Sequence, residues 1–532
     1  MPRMTGGQAL AASLYREGVR VIFGLPGVQL YHALDALHGE TGIRFITTRH
    51  EQATTYMADG YSRAGGGIGT ALMVPGPGLQ NASAGIGTAY AASSPILVVA
   101  GQVPRELIGV DRGVLHEVND QLDTVRAVTK WAHRVLDASD IPAAVHEAFH
   151  QLQTGRPRPV EIEIPPEALA DEAEIDLAEP GKYDRAPGSI ESIRAGAKAL
   201  AEASNPLICA GGGAVSSGAG PALQRVVEHL QAPVMTTAEG KGTISDRHYL
   251  SIGGMRLRND PYSERLARHD VVLAVGTRLS FPNLFDGQQV VQIDIDEAEI
   301  GRNYDKTLGI VGDARRSLEQ LYEVLSASTP ARANRRAEMD VIREERFGPS
   351  TRAEPLSSFV DAIRAAVPDD GILVAGMTQV GYYSNARYPV YEPGTYLTSS
   401  YSGNLGFAYP VALGAKVAQP ERAVVAISGD GGFLYNSQEL ATAVKHGINA
   451  VVVVFNDNAF GNVLRDQKSR FGGRILGAEL HNPDFVKLAE AYGARGVKAE
   501  GAEQLETRLR EALAIEAPTL IEVPVGEMPY PY

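Results

Sequence analysis

The chain has 532 residues, which predicts about three domains, and its 44% hydrophobic and 21% charged residues are typical of a globular protein. A formal net charge of −14 at pH 7 argues against nucleic acid as a partner, because nucleic-acid binding calls for basic patches. The single cysteine, Cys209, excludes an intrachain disulfide and favours a reducing, cytoplasmic location. No run approaches the ~18 apolar residues of a membrane span, and the first residues lack a signal-peptide pattern, so no membrane partner is expected.

Helical and strand patterns alternate through residues 1–185, beginning with a helix at 7–18, and this order predicts a doubly wound parallel sheet. Residues 111–121 have no clear period and are predicted to form a functional or connecting loop. Three predicted strands are followed by polar or Gly-Pro segments: GLPG at 24–27, RHE at 49–51 and PGPG at 75–78.

A break in the pattern at 181–189 marks a domain boundary, and a second α/β unit follows as far as residue 350. Its first strand runs into three glycines at 211–213. Without a full GxGxxG motif and a downstream ribose-binding acid, these glycines favour a structural role over a dinucleotide site. The charged segment 331–348 is predicted to be a solvated linker helix, and it leads into a third α/β unit.

The third unit contains a strand–helix–strand pattern, with strands at 424–428 and 450–455 and a helix at about 436–446. A right-handed crossover places the two strands in one parallel sheet, with their carboxyl ends at the same edge. Asp430 follows the first strand and Asp457 follows the second. We therefore expect these two carboxylates to lie close together, although they are far apart in the sequence.

Two carboxylates without nearby His or Cys suit Mg²⁺ or Ca²⁺, which often share their coordination with phosphates. The glycines of the turn, Gly429, Gly431 and Gly432, would let backbone N–H groups approach those phosphates. An ordinary parallel-sheet turn in which Asp caps a helix is the alternative for an isolated GDG.

The GDG turn followed by an Asn-rich corner resembles the fingerprint of thiamine-diphosphate enzymes. The resemblance implies that Mg²⁺ is held by the Asp430 and Asp457 side chains and the Ala459 carbonyl. It also implies that Phe460, Gly461 and the three turn glycines contact the coenzyme. Most of the family has Asn in place of Asp457, so this site carries an additional formal negative charge.

The run TTRHEQATTYMADGYSR, residues 47–63, resembles the helix whose Glu hydrogen-bonds the aminopyrimidine of the coenzyme, a role that falls here to Glu51. Such a carboxyl belongs in an apolar pocket that raises its pKa. Taken alone, an acid at a helix N-terminus is better explained by the helix dipole than by a catalytic role. Further segments resemble coenzyme-flanking loops, and the residues they contribute are Pro26, Gly27, Gly76, Asn81, Thr378, Gln379, Asn404 and Leu405, the last as the apolar prop beneath the bent coenzyme.

Together these motifs resemble the acetolactate synthase, pyruvate oxidase and benzoylformate decarboxylase superfamily, and most of all its acetolactate synthase-like members. The resemblance implies three doubly wound domains: pyrimidine-binding (1–185), central Rossmann-like (186–350) and diphosphate-binding (351–532). It further implies a 2-oxo acid substrate, with an aldehyde as a second substrate for some members. A homodimer or homotetramer with its active site at the subunit interface is also implied.

The implied activity is a lyase or carboligase that decarboxylates a 2-oxo acid and either releases an aldehyde or joins the remaining fragment to a second carbonyl. A flavin-assisted oxidase and a catalytically silent homologue are the alternatives. RLSFPN at 278–283 replaces the flavin-contacting run of the family, so FAD is doubtful. Other departures from characterised patterns are Val28, Val74, Val463, Asp466 and Pro-Glu at 166–167.

His116 is the predicted catalytic group on the substrate side, because a loop imidazole can shuttle a proton near pH 7. Gln29 and Asn462 are expected to line the same space. A His that fixes the loop is the alternative. Lys130 and Arg465 are ordinary charged positions unless the substrate has a second acidic group, which Arg465 could then bind.

Overall fold

A computed structural model describes residues 2–40, 42–255, 262–280, 284 and 287–530. It contains three six-stranded sheets in which every neighbouring pair of strands is parallel, with helices packed on both sides. One antiparallel pair joins Arg3–Thr5 to Glu172–Glu174 and so ties the start of the first domain to its end. The predicted α/β class with three doubly wound domains is confirmed, whereas the exact boundaries at 185/186 and 350/351 stay predictions.

The first sheet is buried along its central strands, whose side chains are apolar on both faces as parallel sheets require. Its strands lie in the order Arg44–Thr47, Val21–Gly24, Gly69–Met73, Ile96–Gly101, Val160–Ile164 and Trp131–Arg134. Its helices are Gly6–Arg16, Tyr31–Gly39, Glu51–Tyr61, Pro77–Ala92, Gln121–Val125, Ile141–Gln153 and Pro166–Ala170.

The third sheet has the same strand order as the first when the strands of each domain are counted along the chain. One sheet type is thus used twice. Its strands lie in the order Tyr396–Leu397, Ile372–Ala375, Val424–Gly429, Val451–Asn456, Thr519–Pro524 and Arg495–Lys498. Its helices are Leu356–Ala366, Gln379–Arg387, Ala408–Ala418, Asp430–Phe433, Glu439–His446, Gly461–Arg470, Phe485–Ala491 and Gly501–Leu513.

The central sheet has a different order, in which the strand sequence reverses beside its first strand, as in dinucleotide-binding folds. Its strands lie in the order Ser251–Gly254, Val234–Thr236, Leu207–Ala210, Val271–Val275, Gln289–Asp294 and Thr307–Val311. Its helices are Ile190–Glu202, Gly212–Ser216, Gly220–Leu230, Ser263–Leu266 and Ala314–Ser328.

The predicted linker helix forms at Arg336–Phe347, but it is not solvated on all sides. Met339 and Ile342 are buried in the apolar core of the central domain. Arg346 is 0% exposed and donates hydrogen bonds to the backbone carbonyls of Ile252 and Gly254. The prediction was wrong here because an apolar stripe at helical spacing is hidden among many charged residues.

The first and third domains share one apolar core, which contains buried residues from both, such as Phe23, Tyr56, Val411 and Val454. The central domain has its own separate core. The helix Glu51–Tyr61 is therefore held between its own sheet and the third domain, and its position depends on both. In the part of the chain that the structure describes, no helix is both long and apolar enough to cross a bilayer.

Candidate active site

Asp430 and Asp457 lie side by side at the carboxyl edge of the third sheet. The strands that precede them, Val424–Gly429 and Val451–Asn456, are hydrogen-bonded neighbours, with Gly429 paired to Phe455. The turn differs from the predicted one, because Asp430–Phe433 already forms a helical turn and the following helix begins only at Glu439. The crossover nevertheless brings the two carboxylates together.

Negative charge on Asp430 and Asp457 is energetically unfavourable in this corner. Burial raises the pKa of Asp430, whose side chain is 1% exposed, against hydrogen bonds from Gly431 and neighbouring groups that lower it. Burial and then the charge of Asp430 raise the pKa of Asp457 to about 6. Two facing acids in a poorly solvated corner are a donor set that a hard divalent cation would neutralise. The residues present thus fit Mg²⁺.

Asn482 is a third polar group in this corner, and the sequence did not predict it. Its Nδ2 donates to Asp430 Oδ2 at 2.6 Å and to Asn456 Oδ1 at 2.9 Å, whereas its buried Oδ1 has no hydrogen-bond partner among the residues that the structure describes. Asn482 lies on a loop after the 461–470 helix, where no sequence motif marks it. The Ala459 N–H donates to Asp457 Oδ1 at 3.2 Å, which places the predicted carbonyl ligand on the same turn.

Two glycine positions of this corner are too close to neighbouring groups for any larger residue. A Cβ on Gly461 would lie 2.4 Å from Asp457 Oδ2, and a Cβ on Gly431 would lie 2.6 Å from the ring of Phe460. Thr378 lies near Gly429, and the Leu405 side chain lies near Gly432. The structure therefore gathers the predicted diphosphate-side residues around one cradle.

Gln379, Asn462 and Arg465 form a polar cluster next to this cradle. Gln379 Nε2 donates to Asn462 Oδ1 at 2.8 Å, and Arg465 Nη1 donates to Gln379 Oε1 at 3.0 Å. Among the residues that the structure describes, no acidic side chain pairs with Arg465, and its buried Nε has no hydrogen-bond partner. The guanidinium also lies 4.5 Å from the centre of the Tyr530 ring.

Glu51 is the first residue of the helix Glu51–Tyr61, and its carboxylate is half-buried. Asn81 Nδ2 donates to Glu51 Oε2 at 3.1 Å, which joins two residues that were predicted separately. Thr54 Oγ1 donates to the Glu51 carbonyl at 2.5 Å, and the His50 ring caps the helix by accepting from the Gln52 N–H. His50 thus has a structural contact at the start of this helix.

The PGPG loop lies close to Glu51, and the GLPG loop packs against the residue that precedes PGPG. Gly78 approaches Glu51 Oε1, and Gly27 packs so tightly on Val74 that a Cβ on Gly27 would lie 2.1 Å from it. Pro26, in the same loop as Gly27, is exposed. These glycines allow the first loop to lie directly against the end of the neighbouring strand.

Gly76 has a positive φ of 56°, which favours glycine, and its N–H donates to Gln121 Oε1 at 2.8 Å. His116, also at positive φ, bonds Gln29 Oε1 through Nδ1 at 3.1 Å, so the expected pair of His116 and Gln29 is in contact. Gln121 anchors the loop that carries His116 and was not singled out from the sequence.

The residues around Glu51 and those around Asp430 form two separate clusters within one chain. No hydrogen bond of the described residues joins Glu51 to the Asp430 corner, and none joins Asn462 to Gln29. The amide of Asn404 donates to Ala84 O, Thr88 Oγ1 and the Tyr56 hydroxyl of the first domain, and its contact with the coenzyme stays a prediction.

Lys130, outside both clusters, donates through Nζ to the Gln151 and Thr154 carbonyls at 2.7 Å each. These backbone contacts fix the end of a helix within the first domain. They assign Lys130 a local structural contact and leave it away from the candidate site.

A cavity of about 380 Å³ lies at the carboxyl ends of the central strands, where the strand order reverses. Gly213 packs tightly there, since a Cβ on it would lie 2.7 Å from Gly276 Cα, in line with a structural role. Arg278 and Ser280 of the RLSFPN run line this cavity, whereas positions 281–283 of the run lie outside the described residues.

Comparison with known families finds three matches along the chain. Residues 4–124 match the N-terminal thiamine pyrophosphate (thiamine diphosphate) binding domain of thiamine pyrophosphate enzymes. Residues 193–321 match the central domain of the same enzymes, and residues 376–523 match their C-terminal thiamine pyrophosphate binding domain. Each match contains one of the three sheets or most of its strands.

Similar proteins extend over nearly the whole chain. A probable acetolactate synthase large subunit of Methanocaldococcus jannaschii is 34% identical, covering 98% of this chain and 92% of the relative. A probable 2-ketoarginine decarboxylase, AruI, of Pseudomonas aeruginosa is also 34% identical, with 98% and 94% covered. The acetolactate synthase isozyme 3 large subunit of Escherichia coli is 32% identical, with 96% and 93% covered.

Proposed function

Because the chain belongs to the thiamine pyrophosphate enzyme family, we propose that it decarboxylates a 2-oxo acid with the help of Mg²⁺, and either releases an aldehyde or joins the remaining fragment to a second carbonyl. Dependence on thiamine diphosphate follows from the family itself. The observation that carries the proposal is the placement of Asp430 and Asp457 at one sheet edge, beside a cradle of glycines.

In this proposal Asp430, Asp457 and the Ala459 carbonyl would hold Mg²⁺, and Asn482 would orient Asp430. The glycine cradle and the N-terminus of the Asp430–Phe433 turn would face the diphosphate. Thiamine diphosphate supplies the nucleophilic carbon and the electron sink that decarboxylation requires. Glu51 would hold a proton at the aminopyrimidine, in an orientation supported by its bond from Asn81.

His116 would exchange a proton with the substrate oxygen. Its ring is held by Gln29 through Nδ1, so the other ring nitrogen would be the one that exchanges the proton. The positive φ of His116 places this residue in a conformation that its loop must enforce. Such enforced geometry supports a functional role over a merely loop-fixing one.

We propose an active site built from two chains, in a homodimer or homotetramer located in the cytoplasm. The separation of the Glu51 and Asp430 clusters within one chain supports this arrangement. Exposed apolar side chains near each cluster also support it, since burial of such surface favours association: Val28, Tyr31 and Leu115 near the first, and Val463, Phe471 and Leu476 near the second. Size-exclusion chromatography across a range of protein concentrations tests the assembly.

The relatives include acetolactate synthases and a probable 2-ketoarginine decarboxylase, so their names support both carboligation and simple decarboxylation. Arg465 narrows the choice of substrate. It is a cation beside the cradle that has no acidic partner among the described residues, which favours a substrate that carries a second acidic group. We therefore propose a 2-oxo acid with a second acidic group as a substrate.

A flavin-assisted 2-oxo acid oxidase is the second candidate. The single observation that favours it is the cavity at the reversal of the central strand order. An absorption spectrum of the purified protein distinguishes the candidates, because bound flavin gives visible bands. A catalytically silent homologue would bind thiamine diphosphate without turnover.

The test combines a panel of 2-oxo acids, with and without aldehyde acceptors, with the variant Glu51→Gln. Product identification by mass spectrometry separates aldehyde release from carbon–carbon bond formation. The variant should lose most activity and still bind thiamine diphosphate, because only the ionisable group is removed. Near-normal turnover by Glu51→Gln would show that the proton assignment is wrong.

A further inference from the structure

We propose that Glu439 is a positioning residue for Glu51, acting across the junction between the third and first domains. The inference rests on the proposed function of Glu51. Glu439 is 0% exposed and begins the helix Glu439–His446 of the third domain. No motif in the sequence marks it, and it contacts neither predicted metal ligand among the described hydrogen bonds.

The Glu439 carboxylate is directed at the backbone that precedes Glu51. The Arg49 N–H donates to Glu439 Oε1 at 3.0 Å and Oε2 at 3.2 Å, and the His50 N–H also bonds this carboxylate. Thr442 Oγ1 donates to Glu439 Oε2 at 2.6 Å and fixes the carboxylate on its own helix. Glu439 thus holds the two residues from which the Glu51 helix starts.

A carboxylate suits this position for two physical reasons. It can accept several N–H bonds at once, and charged acceptors give stronger hydrogen bonds than neutral ones. It also lies at the positive end of the Glu51–Tyr61 helix dipole, where negative charge is favourable. An ordinary domain contact would need neither a buried acid nor two backbone donors, and burying that acid is costly unless it is well bonded.

The same segment also connects the two clusters. Residues 430–446 begin with the metal-side Asp430 and continue into the helix that Glu439 starts. A change in the Asp430 turn would be transmitted to the Glu51 backbone through one short segment of the chain. Glu439 would therefore link the diphosphate-side corner of a chain to the acid that the same chain contributes on the pyrimidine side.

The test is Glu439→Gln, which keeps the size of the side chain and removes its charge. The matched control is His446→Gln, on the same helix, whose ring Nε2 accepts from the Thr47 N–H at the same domain junction. Amide hydrogen exchange of peptides spanning residues 44–56 is measured on the protein without coenzyme at about pH 8, where the Glu439 carboxylate is ionised. The Glu439 variant should exchange on the order of tenfold faster at residues 49–50, and the control should not.

With thiamine diphosphate and Mg²⁺ added, hydrogen–deuterium exchange at the reactive carbon of the bound coenzyme is followed by NMR. Glu439→Gln should slow this exchange and lower kcat about tenfold, with KM and coenzyme affinity little changed, because Glu51 is displaced while the binding corner is intact. Equal effects of both variants, or unchanged amide exchange at 49–50, would overturn the positioning role.

Thr442→Val provides a milder variant should Glu439→Gln fold poorly, because it removes one bond to the carboxylate and leaves the charge in place. It should reproduce the same pattern at smaller amplitude; amide exchange at 49–50 identical to the unmodified protein would count against the proposal. If the unmodified protein does not bind thiamine diphosphate, the proposed function fails, while the amide-exchange measurement still decides whether Glu439 holds this backbone.

Discussion

Gly414 lies directly against the backbone carbonyl of Met57, so that a Cβ on Gly414 would be 1.9 Å from that oxygen. The contact is reciprocal, because a Cβ on Gly60 would lie 2.0 Å from the carbonyl of Val411. The helices Glu51–Tyr61 and Ala408–Ala418 therefore cross at glycines on both sides. This close approach sets how the first domain meets the third.

Gly414→Ala should weaken this crossing, since the added methyl group has no space without separating the helices. We expect a loss of about 1–3 kcal/mol in unfolding free energy, the usual cost of overpacking. Thermal unfolding measures it. Gly39→Ala is the control, because no atom of the described residues lies within 4 Å of a Cβ at that helical position. A variant as stable as this control would contradict the close crossing.

Asp430→Ala should abolish retention of the coenzyme, because it removes one carboxylate and one of the acceptors of Asn482. We expect thiamine diphosphate and Mg²⁺ to bind at least ~100-fold more weakly in titration calorimetry. Asp457→Asn is the matched comparison, since an amide oxygen can still ligate Mg²⁺ while one charge is lost. It should bind within about tenfold of the unmodified protein. If both variants lost the same binding affinity, Asp430 and Asp457 would not contribute differently to coenzyme and Mg²⁺ binding.

Arg465→Gln should change substrate preference more than overall activity. If Arg465 binds a distal acidic group, kcat/KM for a 2-oxo dicarboxylic acid should fall by about 10- to 100-fold, the range of a lost charge-assisted hydrogen bond. The value for pyruvate should change little. Arg470→Gln is the control, because Arg470 is exposed and faces Asp466 at 3.6 Å. Parallel losses on both substrates would exclude a role in recognising the distal group.

Glu439 should make stability depend on pH. Burial raises its pKa from the ordinary 4.5 to about 7, although the bonds from Thr442 and Arg49 oppose this. The folded protein thus holds a proton that the unfolded chain releases. The resulting stability is complete below pH 4.5 and is lost as the pH rises through about 7.

The measurement compares the unmodified protein with Glu439→Gln by chemical denaturation between about pH 5 and pH 8. The unfolding free energy of the unmodified protein should fall relative to the variant, by up to about 1.4 kcal/mol per pH unit. A difference that stays constant or grows with pH would contradict a raised pKa. Tyr409, whose own pKa is raised by burial and by Glu439, stays neutral throughout this range.

The sequence by itself determined the three parallel-sheet domains and the meeting of Asp430 with Asp457. Both follow from local rules: apolar runs set the strands, and a right-handed crossover brings successive strand ends to one edge. The cradle glycines and the contact of His116 with Gln29 were also predictable, because each belongs to a loop at a strand end.

Only the tertiary structure decided which polar side chains meet partners that are distant in the sequence. Asn482 and Glu439 lie in segments without a motif, and their partners are distant in sequence, so no local pattern marks them. The amide of Asn404 turns toward Tyr56 and Thr88 because the first domain packs against it. The linker helix buries Arg346 because that helix packs on the central domain. Periodicity specifies which face of an element is apolar, but the partner of a buried polar group is set by packing between elements that are distant in the sequence.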